Sequence, residues 1–237
     1  MNSIQQALRK HASEKRKTAN ERFFKMGEGQ YSAHDTFIGV SMPDLRSVAA
    51  DFLDATYNEI KETLYSDIHE DRACALIILV NRYKEGSKQD RKAVVEFYLK
   101  HKNQINNWDL VDVSAPYIIG QYVLDNPKER PILDKLVVSK DMWQRRIAIV
   151  ATLTLNRAGK IKEILNLSEK LFDDTEDLTH KAVGWMLREA WKQDAPAVER
   201  FIKKHYDRIP RTTLRYAIER MEESKRKKFL QWKIKKR

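Results

Sequence analysis

The sequence has few residues that break helices or cross-link a chain: seven glycines, six prolines and one cysteine among 237 residues. Scarce glycine and proline, together with abundant Leu, Ala, Glu, Lys and Arg, favour helix throughout. No segment shows the sustained alternation of a strand. The single cysteine, Cys74, excludes an internal disulfide and suits a reducing compartment. The predicted fold class is therefore all-α.

Long apolar runs are also missing. The longest, Ala73 to Val80, is far shorter than the roughly 20 residues that cross a bilayer. The first ten residues lack the apolar core of a signal peptide, so a cytoplasmic location without membrane attachment is expected. The six histidines are dispersed without metal-ligand spacing, and no glycine-rich phosphate loop is present. We therefore expect neither metal nor cofactor.

Charge of one sign is in excess. Lys and Arg number 45 against 34 Asp and Glu, which gives a formal net charge of +11. Such a balance attracts polyanions. Nucleic acid is the commonest partner of this kind, an anionic membrane surface is the rival, and a soluble protein that is merely basic is the third interpretation. Charge alone does not decide among them.

A helix start recurs along the chain at intervals of about 36 residues, each followed by an apolar helical stretch. The five starts carry Arg72, Asp109, Arg145, Lys181 and Arg215. A period of this length with two helices per unit is typical of a HEAT-like solenoid, because one helical pair cannot cover both of its apolar faces. We predict one such array over residues 1–237, monomeric, with a basic tail at about 224–237.

Four of these five starts carry Arg or Lys at the same place in the unit. Stacking of the units is expected to line these cations along one edge of a curved array, which predicts a concave basic face suited to a phosphate backbone. The alternative is that these cations only contact solvent or neighbouring carboxylates, as in many scaffold proteins.

The segment Asn107–Pro116 combines unusual residues. Trp108 and Asp112 are four apart and so share one helix face. Pro116 lies four beyond Asp112, where it lacks an N–H and crowds the preceding turn, so we expect a disturbed helix there. The alternative is an Asp that caps or solvates the helix beside a Trp that packs in the core.

Two further segments place aromatic rings beside guanidinium groups. Trp143 precedes Arg145 and Arg146, and Trp185 and Arg188 are three apart on one helix face. Gly184 lets another backbone or a ligand approach Trp185 closely. The alternatives are core packing for each Trp and a surface ion pair for each Arg.

With these residues in place, the chain resembles the DNA alkylation repair family of HEAT-like DNA glycosylases, the AlkD-like proteins. The resemblance covers roughly Phe23 to Arg220, and the Trp–Asp and Gly–Trp–x–x–Arg–Glu motifs are specific in combination. The matching stretches, in family order and spacing, are Phe37–Arg46, Trp108–Asp112, Trp143–Arg146 and Lys181–Glu189.

The resemblance implies the removal of cationic N3- and N7-alkylated purines from duplex DNA, without drawing the base into a pocket. It implies a catalytic aspartate at Asp112 and two indoles, Trp108 and Trp185, that flank the sugar of the lesion. It also implies phosphate-binding guanidiniums at Arg146 and Arg188. The further DNA-binding candidates are Arg46, Arg72, Arg145 and Lys181.

These residue types suit the reaction, because a carboxylate and indole faces can stabilise positive charge that grows on the deoxyribose. The sequence departs from the family at Asn107, where some members have a second tryptophan, and at Ser41, where some have a longer polar residue. These departures bear on which lesion is preferred more than on the reaction. A DNA-binding relative without glycosylase activity and a protein-binding HEAT scaffold are the alternative functions.

Overall fold

The computed structural model describes residues 1–231. Over that range it consists of helices joined by turns and loops, with one isolated bridge between Thr36 and Ile68 in place of any strand. The predicted all-α helical repeat fold is confirmed. Residues 232–237, the last part of the predicted basic tail, lie outside the described residues. In the described range no helix is both long and apolar enough to cross a membrane.

The chain divides into two compact units, Met1–Ile118 and a second that begins at Ile119. The single domain predicted for residues 1–237 stays a prediction, as do the HEAT-like stacking, the curvature and the concave basic face.

The first unit packs around one long helix, α5. Because α3, α4, α6 and α7 all contact it, twelve of its 17 residues are buried. The seven helices are α1 Ser3–Arg9, α2 Glu14–Phe23, α3 Met42–Asp51, α4 Tyr57–Leu64, α5 His69–Glu85, α6 Lys88–Lys100 and α7 Trp108–Ser114. A 3₁₀ turn, Lys102–Gln104, precedes α7.

The second unit is built on α10 and α12, which pack against each other and against their neighbours in sequence. Its helices are α8 Gln121–Asp125, α9 Pro131–Val137, α10 Met142–Arg157, α11 Lys162–Lys170, α12 Asp177–Trp191, α13 Ala195–Lys204, α14 Arg211–Ala217 and α15 Glu223–Leu230. A π-helical turn, Pro116–Gly120, precedes α8, and a 3₁₀ turn, Pro127–Glu129, follows it.

Local sequence explains where the helices begin and end. Gly86, Gly159 and Ile209 all lie between helices. Thr56 starts α4 and Ser87 starts α6 with reciprocal capping, in which the hydroxyl and the carboxylate three residues later each accept a backbone N–H. The recurring starts predicted from the sequence lie in the first or second turn of α5, α7, α10, α12 and α14.

Candidate active site

The start of α7 carries the tryptophan and the aspartate singled out in the sequence. Asn107 caps the helix, because its Oδ1 accepts the Trp108 backbone N–H at 2.7 Å. The α-helix ends at Ser114 and a π-helical turn begins at Pro116. Pro116 has no N–H to donate to the Asp112 carbonyl, so the disturbed helix predicted at this point is confirmed.

The Trp108 indole is held on two sides by the last residue of α2 and the residue that follows it. Phe24 stacks on it with ring centroids 5.4 Å apart and planes 18° from parallel. Phe23 meets it edge-on at 5.7 Å and 68°. Its Nε1–H donates to the Tyr31 hydroxyl at 3.2 Å. Trp108 is therefore half-buried in a fixed orientation, with much of its surface already covered by its own unit.

Asp112 lies one turn beyond Trp108 and is half-buried. Its charge acts on Tyr98 of α6, which is fully buried and shares a 3.0 Å hydrogen bond with Ser114 Oγ. Burial raises the pKa of the Tyr98 hydroxyl well above its usual range, and the Asp112 charge adds to this effect against the opposing hydrogen bond from Ser114. The carboxylate to which the family resemblance gives a catalytic role therefore lies near a buried, neutral phenol.

Behind Trp108 lies a buried charged cluster that the sequence did not predict. His69 Nε2 lies 2.7 Å from Asp109 Oδ2, and His69 Nδ1 lies 3.4 Å from Asp35 Oδ2. Burial alone would lower the pKa of His69. The charges and hydrogen bonds of Asp109 and Asp35 outweigh it and raise that pKa to about 9. His69 is therefore an imidazolium at neutral pH.

Asp35 links this cluster to the cap of α7. Asn107 Nδ2 donates to Asp35 Oδ2 at 2.7 Å and to Ser32 Oγ at 2.5 Å. Arg72 pairs with the other oxygen of Asp35. Burial would raise the pKa of Asp35, but the hydrogen bond from His69 and the charge of Arg72 hold it well below its usual range. One buried carboxylate thus joins the loop before α3 to α5 and α7.

Arg72 and Arg46, the two DNA-binding candidates of the first unit, differ in exposure. Arg72 is 4% exposed and donates to the Ser66 carbonyl at 3.1 Å besides its pair with Asp35. A buried guanidinium needs such partners because isolated charge is costly to desolvate. Arg46, on α3, is exposed. Arg46 is thus accessible to a ligand, whereas Arg72 is committed to contacts within the protein.

In the second unit the two arginines of α10 contact the chain that leads into and begins α12. Arg145 forms a two-pronged pair with Asp174, with N–O distances of 2.6 and 3.0 Å. Arg146 is 5% exposed and donates to the Leu178 carbonyl at 2.7 Å. Both contacts join successive repeats.

On α12 the predicted residues occupy one side of the helix near its contact with α14. Trp185 is half-buried, and the adjacent Gly184 is where α14 comes closest: a Cβ on Gly184 would lie 2.6 Å from the Thr213 carbonyl oxygen. The close approach predicted at Gly184 is confirmed, and a backbone occupies it. Arg188 pairs with Glu219, and Lys181 Nζ lies 2.8 Å from Asp177.

Among residues 1–231 no group of three or more His, Cys, Asp or Glu side chains is arranged to hold a metal ion.

Comparison with known proteins identifies the family. A family model described as DNA alkylation repair enzyme matches residues 4–221. The chain belongs to the DNA alkylation repair enzyme family. One solved structure with the same fold is a predicted DNA alkylation repair enzyme from Enterococcus faecalis, with a TM-score of 0.72 and 17% sequence identity over 90% of this chain and 98% of that one. No curated protein matches the sequence.

Membership of this family supports a role in DNA repair and fits the residues described above. Sequence reasoning missed the Asp35–His69–Asp109 cluster because its members are separated by 34 and 40 residues, and Asp35 and His69 belong to no periodic pattern. One signal was available: Asp109 replaces the cation found at the other four repeat starts. At this exceptional position the Asp109 carboxylate of α7 pairs with the cationic His69.

Proposed function

We propose that the protein is a DNA glycosylase that hydrolyses the N-glycosidic bond of N3- and N7-alkylated purines in duplex DNA, without drawing the base into a pocket. The observation that carries the proposal is Asp112, a half-buried carboxylate one helical turn from the fixed indole of Trp108. Family membership supports the same conclusion.

The chemistry follows from the charge of the substrate. An N3- or N7-alkylated purine is cationic, so the C1′–N bond breaks with its electron pair going to the base, which leaves neutral. Positive charge then grows on the deoxyribose, where the Asp112 carboxylate stabilises it. A water molecule oriented by Asp112 adds its oxygen to C1′ and loses a proton to solvent, which yields an abasic site.

The remaining residues contact the sugar and the phosphates of the DNA. The negative faces of Trp108 and Trp185 stabilise the cationic sugar. Arg146 and Arg188 contact phosphates, with Arg46, Arg72, Arg145 and Lys181 as further phosphate contacts that carry no sequence information. Five of these six cations now have protein partners, so each of the five would have to exchange or share that contact in the complex. A monomer in the cytoplasm stays a prediction from the sequence.

The test is release of free base. Purified protein is incubated with methylated duplex DNA, and 7-methylguanine and 3-methyladenine are measured. Asp112→Asn should lose most of the turnover while duplex binding survives. Asp51→Asn, at an exposed position on α3, is the matched control and should keep full activity. Turnover by Asp112→Asn equal to wild type contradicts the assigned role. No release by either, with salt-dependent duplex binding intact, indicates a non-catalytic DNA-binding relative.

The pairing of the repeat cations favours a second candidate, a protein-binding scaffold. Arg145 pairs with Asp174 and Arg188 with Glu219, the arrangement expected if these cations join repeats rather than bind phosphate. In that case no salt-dependent duplex binding is expected, whereas a phosphate-binding surface gives a steep salt dependence.

A further inference from the structure

An apolar groove opens on the second unit beside the end of α10, and we call it the α10–α11 groove. Its volume is about 410 Å³, within the range of about 300 to 1,000 Å³ that is typical of ligand-binding clefts. Val123 and Leu155, which line it, are buried, whereas Leu124 and Ile161 are half-buried. An aliphatic lining that stays partly open to water is stabilised when an apolar group covers it.

A tight helix end fixes the chain that borders this groove. The Lys160 backbone N–H donates to the Leu155 carbonyl at 2.9 Å, and the Gly159 N–H donates to the Asn156 carbonyl at 2.9 Å, which together form a Schellman motif. Gly159 has φ +74°, a conformation that glycine adopts without strain, and a Cβ there would meet nothing within 4 Å. The chain therefore leaves α10 in a defined direction, next to open space.

An ion pair holds the two sides of the groove together. Arg130, which precedes α9, donates from Nε to Glu163 Oε2 of α11 at 2.5 Å and also pairs with Asp134. Asp134 in turn accepts a hydrogen bond from Lys170 Nζ at 2.8 Å. Of the described residues that line the groove, only Glu163 is acidic, and its charge is already engaged by Arg130. The groove is therefore formed before any ligand binds.

Two lysines flank the half-buried Ile161 at the edge of the groove. Lys160 and Lys162 are both exposed and both line it. Within residues 1–231 their side chains form neither an ion pair nor a hydrogen bond. Their positive charge is thus available to an anionic ligand without any exchange of partners. The groove combines an aliphatic lining with two available cations.

This combination selects one kind of occupant. None of the described lining residues is aromatic, so nucleotide bases would find no ring to stack on, and phosphates gain nothing from aliphatic side chains. A second copy of the chain, with its formal net charge of +11, or the basic tail at about 224–237 would bring further positive charge. A peptide with an apolar side chain beside carboxylates is complementary to both the lining and the lysines.

We propose that the α10–α11 groove binds an acidic peptide segment of a partner protein, in which an apolar side chain enters the groove and flanking Asp or Glu carboxylates pair with Lys160 and Lys162. The proposal goes beyond the proposed function and does not depend on base release. Arg145 lies about 15 Å from Leu155 along the axis of α10, so the groove is separate from the phosphate contacts proposed at the start of that helix.

The first experiment uses a display library of random twelve-residue peptides as the probe against the immobilised full chain. Wild-type protein should enrich peptides in which large apolar residues stand beside Asp or Glu. Lys160→Glu combined with Lys162→Glu should not enrich them. Lys140→Glu combined with Lys204→Glu, at exposed positions of the same unit, is the matched control and should select the same peptides as wild type. No enrichment, peptides without carboxylates, or equal selection by the groove variant overturns the proposal.

The second experiment locates the bound peptide. The most enriched acidic peptide is titrated into protein with labelled Ile, Leu and Val methyl groups and followed by NMR. The methyl signals of Leu124, Leu155 and Ile161 should shift, whereas that of Val138, which is 70% exposed on the same unit, should not. Sodium octanoate and a duplex oligonucleotide are the competing probes. Shifts at the groove that either of these causes and the peptide does not, or peptide shifts only elsewhere, overturn the proposal.

The third experiment measures affinity by fluorescence anisotropy with the same peptide. Lys160→Glu combined with Lys162→Glu should weaken binding by roughly tenfold or more, because two exposed ion pairs become repulsive. Leu124→Ala should weaken it by roughly 5- to 30-fold through the loss of apolar contact. Unchanged affinity in both variants contradicts the assignment. The groove variant and the Lys140–Lys204 control carry the same net charge, so their rates of base release should be equal. Failure of wild-type protein to release base would leave the peptide results standing and would count against the proposed function alone.

Discussion

His69 Nε2 and Asp109 Oδ2 lie 2.7 Å apart beneath the aromatic ring cluster that holds Trp108. The pair joins α5 to the first turn of α7, the helix that also carries Asp112. Asp35 faces the second nitrogen of the imidazole, so one cation lies between two carboxylates. Because these charges are almost fully buried, their protonation is coupled to the stability of the helix that holds the proposed catalytic groups.

Stability should fall as pH rises from about 6.5 to 9. The folded-state pKa of His69 is raised to about 9 from the usual 6.5, so its contribution is fully present below pH 6.5 and is lost as pH rises through 9. The loss amounts to about 3 kcal/mol of unfolding free energy. Urea unfolding between pH 6 and 8.5 measures most of this loss. Burial raises the pKa of Cys74 to about 12, so that thiol contributes only above this window.

His69→Gln is the control for this pH dependence and should flatten the curve between pH 6.5 and 8.5. A slope in the variant equal to that of wild type would show that another group titrates in this range.

Asp109→Asn should destabilise the first unit by about 3 kcal/mol, because it leaves a buried imidazolium with one carboxylate in place of two. The pKa of His69 should fall at the same time, which moves the pH-dependent loss of stability to lower pH. Chemical denaturation and the NMR titration of His69 measure the two effects. Asp67→Asn, a nearby exposed position, should change neither. An unchanged His69 titration in Asp109→Asn contradicts the coupling described here.

Gly39→Ala should destabilise the fold by more than about 3 kcal/mol, since the added Cβ would meet the backbone at Ser13 and Lys17 at distances no side chain tolerates. Gly29→Ala is the matched control. Gly29 has nearly the same positive φ, +73°, but nothing lies within 4 Å of its added Cβ. It should cost only about 1 kcal/mol of backbone strain. Thermal or urea unfolding of both variants separates the cost of the positive φ from the cost of the steric clash. Equal losses of unfolding free energy in the two variants would argue against the close approach of α2 to Gly39.

The sequence predicts the helices well because their signals are local. Breaks follow glycine and proline, and the shared face of Trp108 and Asp112 follows from helical geometry. The aromatic and charged cluster was not predictable, because Phe24, Tyr31 and Asp35 lie in irregular chain with no period. Which repeat cations are buried could not be predicted from the sequence either. Arg72 and Arg215 occupy the same place in the repeat, yet Arg72 is 4% exposed and Arg215 is exposed. The partners that hold Arg72 are the distant Asp35 and the Ser66 carbonyl, and no local pattern shows either of them.

The pair between Arg188 and Glu219 leads to a prediction about affinity. If Arg188 contacts phosphate as proposed, Glu219 competes with DNA for the same guanidinium. Glu219→Gln should then tighten duplex binding by up to about fivefold, the range of an exposed ion pair. Fluorescence anisotropy at a fixed, stated salt concentration measures the change.

The control for this affinity gain must separate the loss of the pair from the loss of one negative charge. Glu223→Gln removes an equal charge from α15, where it neighbours Arg226 and Lys227 instead. It should tighten binding less than Glu219→Gln does. The gain from Glu219→Gln should also disappear when Arg188→Gln is already present, because the carboxylate then has no guanidinium to withhold. Equal gains from both glutamate variants, or a gain that persists without Arg188, would show that Glu219 acts on DNA only through the overall charge.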